Sequence, residues 1–385
     1  MKILHAVEFY HPSVGGAQEA VRRLSERLAG FGHDVTVATS RLPGRTDTLN
    51  GVRIAEFDVS GNLARGLRGE VDSYRNFVRG GKFDVVMTYA AQQWTTDALV
   101  PLLGEAFARK VLVPCGFSGL HAPAYREYFE SMKDWIRKFD ACVFLSETYQ
   151  DIEFARRAGA RRLTVIPNAA SEDEFTRGRS AEARTRLGIR QDEFLILCVG
   201  SHTGAKGHRE AIRMFQRSGL RKATLLIVGN RSPGGCARSC RLRAAMSRFS
   251  SRERRILVRE LDRSETVAAF LAADLFLFPS NIECSPLVLF ESMAAGTPFL
   301  ASDVGNSAEI AAWSGGGELI ATSRDPAGYS HADVDDGAKR IAALHADPKR
   351  RRLLAERGRA AWLERFTYEK AARRYETLYR ELLAS

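Results

Sequence analysis

The feature that most constrains this chain is an alternation, run through twice, of a short apolar β-branched segment, a loop and an amphipathic helical stretch. Strands that read as continuous apolar runs and are joined through helices form parallel sheets with helices on both faces, because each crossover has to return over the sheet. In the first series the predicted strands are 3–9, 34–39, 52–59, 84–89, 110–114, 141–145 and 163–166. Between them lie helical patterns such as 18–29, where Val21, Leu24 and Leu28 recur at helical spacing while Arg22, Arg23 and Arg27 face out. A polar stretch without strand signal, 171–192, separates this from a second series at 194–199, 224–228, 256–258, 275–278, 298–301 and 318–321. So many strands exceed one ordinary sheet, and the break implies two doubly wound α/β domains. The predicted limits are 1–170 and 171–366, and the segments 348–366 and 368–383 read as charged amphipathic helices, the first opened by Pro348.

In open parallel sheets, ligands sit beyond the carboxyl ends of the strands, so the loops there are where chemistry is sought. The first strand ends in a loop whose Gly15 and Gly16 directly precede a helix. Two glycines let backbone approach a ligand, and a helix start offers unpaired N–H groups to a phosphate. The spacing is not that of a dinucleotide fingerprint. In the second series, Gly200, Gly204 and Gly207 surround Lys206 at another helix start, which suits a diphosphate; a P-loop pattern is absent. The segment 279–303 carries Glu283 and Glu291, separated by seven residues. Glu283 lies in the loop after a strand, Pro286 suits the first turn of the next helix, and Glu291 falls inside it. One carboxylate can take sugar hydroxyls and the other ribose hydroxyls. Glu291 stands in the nearly wholly apolar LVLFESMAAG, so it is expected to be buried and to need a partner.

Composition narrows the partners. The net charge of +11 fits either a solvated arginine-rich surface or attraction to an anion such as a nucleotide or lipid headgroup. The densest basic block, 231–255, contains Arg231, Arg238, Arg241, Arg243, Arg248, Arg252, Arg254 and Arg255. Phe249 is its one aromatic residue, so stacking on nucleic-acid bases is not indicated and no nucleic-acid partner is expected. No apolar run reaches the roughly 20 residues that span a bilayer, and the N-terminus reads as a strand, so a cytoplasmic protein is expected. Six cysteines are too sparse for a disulfide scaffold. Cys115, Cys142 and Cys198 fall in or beside apolar runs and read as core residues; Cys236 and Cys240 are spaced C-x3-C, with no second pair following, so no metal site is expected.

Taken in order, these loops resemble the GT-B retaining glycosyltransferases of family 4. The likeness covers nearly the whole chain: the opening strand with its glycine pair, the turn at 166–168, the lysine loop, the 225–230 strand, the two-glutamate segment and the closing helix. What the resemblance implies is two Rossmann-like domains facing a central cleft, with the final helix, 367–385, crossing back to the N-terminal domain. It implies transfer of a hexose-type sugar from a nucleotide-sugar, UDP before GDP, in synthesis of cell-surface polysaccharide or glycoconjugate. The acceptor would be a glycan, a lipid-linked or a small molecule. No metal and no cofactor are implied. Gly15, Gly16, Lys206 and His202 would meet the donor diphosphate, and Glu283 with Ser285, Pro286 and Leu287 the sugar. Glu291 would bind the ribose, and Arg259, Glu260 and Leu261 would lie by the base. Glu283 and Lys206 would be the catalytic pair, with His11, Cys115 and His121 on the acceptor side.

Three positions depart from the family pattern. Ser201 and His202 stand where an arginine is usual after the glycine of the lysine loop, and His202 is expected to compensate. Cys115 and Gly116 replace a histidine, and Glu283-Cys284-Ser285-Pro286 replaces E-G-F-G. The segment 124–139 sets Tyr125, Tyr128, Phe129, Met132, Trp135 and Ile136 among Arg126, Lys133, Arg137 and Lys138, which is compatible with peripheral membrane contact or with a core-facing helix. The competing function classes are a non-catalytic nucleotide-sugar or glycan-binding protein, and an epimerase or phosphorylase on the same fold.

Overall fold

Strand β1 (Lys2–Ala6) is buried from Ile3 onward, and a sheet extends from it in both directions. The computed structural model describes residues 1–176, 181–250 and 253–385. By contacts the chain forms two units, Met1–Asn168 with Tyr368–Ser385, and Ala169–Thr367. In the first unit follow β2 (Asp34–Ser40), β3 (Thr48–Leu49), β4 (Val52–Phe57), β5 (Val59–Asn62), β6 (Gly66–Gly69), β7 (Val85–Tyr89), β8 (Arg109–Val113), β9 (Ala141–Phe144) and β10 (Leu163–Val165). Eight of these form a sheet in the order β10-β9-β8-β7-β1-β2-β4-β3, parallel except for the β3–β4 edge. The α-helices of this unit before residue 168 are α1 (Gly16–Gly30), α2 (Val71–Gly80), the short α3 (Trp94–Asp97), α4 (Arg126–Trp135) and α5 (Gln150–Arg157).

The predicted strand 52–59 is corrected: it ends at Phe57, and β5 turns away to form a separate hairpin with β6. For 124–139, the core-facing alternative holds. Tyr128, Phe129, Met132, Trp135 and Ile136 are buried in one cluster with Leu112, Cys142 and Phe144. The aromatic face is core, and the exposed face mixes Glu130 and Asp134 with Lys133 and Arg137 in ion pairs.

The second unit begins with α6 (Ala181–Arg186) and β11 (Phe194–Val199), then α7 (His208–Arg217), β12 (Ala223–Val228), α8 (Ala237–Ser250), β13 (Arg254–Arg259) and α9 (Arg263–Ala272). It continues with β14 (Leu275–Phe278), α10 (Leu287–Ala294), β15 (Phe299–Ser302), α11 (Ser307–Ser314), β16 (Gly317–Ile320), the hairpin of β17 (Thr322–Arg324) and β18 (Ser330–Ala332), α12 (Val334–Ala346) and α13 (Pro348–Arg365). Its sheet runs β13-β12-β11-β14-β15-β16, parallel throughout. Strand side chains alternate between two cores, as the period of two requires. Leu195, Leu197, Leu226 and Phe276 enter one; Ile196, Cys198, Leu225 and Leu277 enter the other. The order reverses direction at β11, so the loops after β11 and β14 are neighbours.

The last helix, α14 (Tyr368–Ala384), belongs to the first unit and packs on α1. Tyr379 is fully buried; its hydroxyl donates to the Met87 sulfur (3.3 Å) and lies 3.2 Å from Nε2 of His5. Nδ1 of His5 meets the Ser25 hydroxyl at 2.8 Å. Replacing Tyr379 by alanine should cost about 3–5 kcal/mol in chemical denaturation, the range for a buried aromatic. Burial pushes the His5 imidazole down to about 3. The unfolded chain therefore takes the proton first, and stability is lost as pH falls from about 6.5 through that value. Thermal denaturation at stepped pH should show this decline, and His5→Leu should make it shallower by up to one proton.

Candidate functional site

The loop after β11 and the loop after β14 meet within the second unit through backbone. The Asn281 N–H donates to the Ala205 carbonyl (2.8 Å), and the Ser280 hydroxyl donates to the same oxygen (3.2 Å). Gly207 has a φ of 66°, and a Cβ there would sit 1.7 Å from the Pro279 carbonyl oxygen, so only glycine closes this junction. The result is a contact between the two residues singled out from sequence. Nζ of Lys206 lies 2.5 Å from Oε1 of Glu283, which also accepts from the Ser280 hydroxyl at 2.7 Å. Both side chains keep partial exposure, 28% and 13%. The Asn306 N–H donates to the Cys284 carbonyl (2.9 Å) and holds the rest of this loop.

Helix α10 starts just beyond, with Pro286 as its N-cap rather than inside its first turn, and no side chain caps it. The start therefore combines a positive dipole end with a lysine and a carboxylate. Glu291 is buried in this helix, 6% exposed, and does have the partner its apolar setting demands. Nη1 of Arg263 lies 2.5 Å from its Oε1. The same guanidinium makes a forked contact to Glu174, from Nε at 3.0 Å and Nη2 at 2.6 Å. Arg263 stands at the first position of α9, whose N-terminus is fixed by a capping box between Asp262 and Glu265. Arg259, Glu260 and Leu261 lead into that helix from β13. Glu260 accepts from Arg231 (2.6 Å) and Arg241 (3.2 Å), so part of the basic block is paired within the protein. Arg252 and the Arg248 and Phe249 side chains of that block lie outside the described residues.

His202, expected to meet the donor diphosphate, is 1% exposed, and burial, with Arg241 adding to it, lowers its pKa. Its Nδ1 lies 3.5 Å from the Cys236 sulfur. No second pair follows Cys236 and Cys240, but one precedes them: His202 and His208 join them, with all four ligand atoms within 4.8 Å of one another. The H-x5-H pair stands upstream of the C-x3-C pair, and a reading that looked only downstream missed it. Arg263, Glu174 and Ser280 were missed because they lack any motif.

In the first unit, Gly15 is the N-cap of α1, no side chain caps that end, and Gly16 is its first residue. His11 is exposed, its carbonyl accepting from Arg45 (2.8 Å), and partial burial lowers its pKa, with Arg22 adding to this. His121 is exposed. Cys115 is not a core residue: it is half-buried in the turn after β8, where Cys115, Gly116 and Phe117 all have positive φ. The Gly116 N–H donates to Asp151 (2.9 Å), which holds this strained turn. Asp97 also escaped the sequence reading. It is fully buried; burial pushes its pKa up to about 6, while the Tyr128 hydroxyl (2.7 Å) and the Leu63 N–H (2.9 Å) donate to it.

Comparison with known proteins divides the chain similarly. The glycosyl transferase 4-like domain model matches residues 15–169, and the model of glycosyl transferases group 1 matches residues 180–361. The D-inositol 3-phosphate glycosyltransferase of Acidothermus cellulolyticus is 31% identical over 229 residues, 58% of this chain and 49% of that one. The enzyme of the same name from Xylanimonas cellulosilytica is 26% identical over 392 residues, 93% and 89% of the two chains. Among solved structures, Anabaena HepE in complex with UDP-glucose gives a TM-score of 0.74 at 17% identity, covering 98% of this chain and 99% of that one.

Gly207→Ala tests the junction that pairs Lys206 with Glu283. The overlap with Pro279 and the left-handed φ should together cost about 1–3 kcal/mol in urea denaturation. Gly204→Ala, where a Cβ meets nothing within 4 Å, shares the positive φ and should cost less.

Proposed function

The chain belongs to the group 1 glycosyl transferases, and from that premise we propose that it is a retaining hexosyltransferase using a nucleotide-sugar donor, UDP-linked before GDP-linked. The observation that carries the reading is the Lys206–Glu283 pair, 2.5 Å apart, beside the uncapped start of α10. A lysine and a carboxylate in contact are matched to a ligand with an anionic diphosphate and neutral hydroxyls side by side. On binding, the diphosphate takes the lysine and the α10 N-terminus, and Glu283 turns to the sugar hydroxyls with the backbone of Ser285, Pro286 and Leu287. Glu291, oriented by Arg263, takes the ribose hydroxyls, and the base lies along Arg259, Glu260 and Leu261.

The chemistry follows from those positions. The bond between the anomeric carbon and the diphosphate oxygen breaks, with the electron pair leaving on the diphosphate, where Lys206 stabilises it. The acceptor oxygen bonds to the same face of the anomeric carbon, and its proton passes to the departing phosphate oxygen. No metal is required at the reacting carbon, since a cation and a helix dipole already face the growing charge. Gly15 and Gly16, at the uncapped start of α1, are assigned to the diphosphate as well. The HepE complex supports UDP-glucose as the first donor to try. A phosphorylated polyol, of the kind the two relatives are named for, is the first acceptor to try beside a glycan or lipid-linked one.

Calorimetric titration with UDP and GDP, without added divalent metal, tests the site. Wild type should bind UDP, and Glu291→Ala should bind it more weakly by about 1–3 kcal/mol through lost hydrogen bonds to ribose. Glu283→Gln should keep UDP binding and lose transfer by at least about 100-fold. If both variants transferred sugar at the wild-type rate, the assignment would fail; product with inverted anomeric configuration would overturn the retaining mechanism. Nucleotide binding with no turnover across donors would instead make the chain a binding protein.

A further inference from the structure

Two histidines and two cysteines converge in the second unit, and the transfer chemistry uses none of them. His202 lies in the loop after β11, His208 is the first residue of α7, Cys236 immediately precedes α8, and Cys240 lies one helical turn beyond it. The Cys240 N–H donates to the Cys236 carbonyl (3.0 Å), which sets the two sulfurs on one side of the helix. The four ligand atoms lie within 4.8 Å of one another. Sγ of Cys236 is 3.5 Å from Nδ1 of His202 and 3.5 Å from Nδ1 of His208. Zinc bonds of about 2.3 Å to sulfur and about 2.0–2.1 Å to nitrogen give a tetrahedral sulfur–nitrogen edge of about 3.6 Å.

The surroundings are built for this cluster. His202, His208 and Cys240 are at most 1% exposed, and Cys236 is half-buried. Nδ1 of each buried histidine has a long contact to the Cys236 sulfur, and a ring nitrogen so poorly met in an apolar interior is costly unless something polar completes it. The backbone holds the segments in place independently: the Cys236 N–H donates to the His202 carbonyl (3.0 Å), and the His202 N–H to the Asn230 carbonyl (2.9 Å). A Cβ at residue 235 would lie 1.6 Å from the His202 carbonyl oxygen, so Gly235 is what permits the approach.

We propose that His202, His208, Cys236 and Cys240 bind one zinc ion as a closed structural site. Two thiols release their protons to solvent on binding, and two thiolates with two neutral imidazoles leave the site with no net charge, as a buried position favours. Sulfur and imidazole ligands in a tetrahedral S2N2 set select zinc over the hard cations. Four protein ligands leave no open position, so the ion is a brace and not a Lewis acid. His202 and His208 flank residues 203–207, the loop that carries Lys206. The zinc thus ties both ends of that loop to the start of α8.

The test uses the tag-free full chain. Elemental analysis after purification should find about one zinc per chain. Replacement by cobalt(II) should give the thiolate-to-cobalt charge transfer and d–d bands of a tetrahedral S2N2 centre. The double variant Cys236→Ser/Cys240→Ser should lose zinc and bands, while Cys115→Ser keeps both. Should the double variant fail to fold, the wild-type zinc content and cobalt spectrum decide by themselves. Folded wild type without zinc and without the tetrahedral cobalt spectrum would overturn the proposal, as would a Cys236–Cys240 disulfide in the purified chain. None of these readouts depends on sugar transfer, so this site and the proposed reaction stand or fall separately.

Discussion

A parallel strand covered by helices on both faces has almost no room for a polar side chain within the sheet. In β12 every residue is buried, and its Thr224 is admitted because its hydroxyl donates to Glu193 (2.9 Å). That constraint pushes charged chemistry out to the strand ends, and the two ends of the second sheet take different work. At the amino ends, Glu193 also pairs with Arg255 (2.5 Å), and Asp274 with Arg184 (2.6 Å). A solvent-open cavity of about 540 Å³ there is lined by Arg184, Glu193, Asp274 and Arg351 and belongs to this bracing network. At the carboxyl ends stand Lys206 after β11, Arg263 beyond β13 and Glu283 after β14, at the reversal of strand order.

Placing charges there creates an electrostatic problem that the fold solves with shared partners. Glu291 is buried on the apolar α10, where an unpaired carboxylate would be strongly unfavourable. Arg263 resolves this from the neighbouring helix and holds Glu174 at the same time. Lys206 and Glu283 form an ion pair while remaining partly open to solvent. In the proposed zinc site, His202 and His208 tie the two ends of the same lysine loop to the start of α8.

Much of this was legible because its signals are local. The parallel strands of both sheets were placed within a few residues, since a run such as 194–199 has no other way to bury itself. Glu291 could be read as a buried carboxylate from the apolar residues around it. Missed were the short hairpins of β5 with β6 and β17 with β18, whose pieces of three or four residues are too brief and too exposed to carry a hydrophobic period. The segment 124–139 was legible as an amphipathic helix, but periodicity is the same whether the apolar stripe meets a core or a lipid surface; contact with Leu112 and Phe144 decided it.

By itself, then, the sequence determined the two series of strands, the loops at their carboxyl ends and the residue types offered there, because each follows from a pattern over a few neighbouring residues. Only the tertiary structure decided which residues meet. Arg263 reaches Glu291 from another helix, and His202 and His208 reach cysteines about one strand–helix unit further along the chain. A charge or a ligand acts over a few ångströms of space, and the distance along the chain between its partners is set by the crossover of a parallel sheet, which leaves no repeating mark in the sequence.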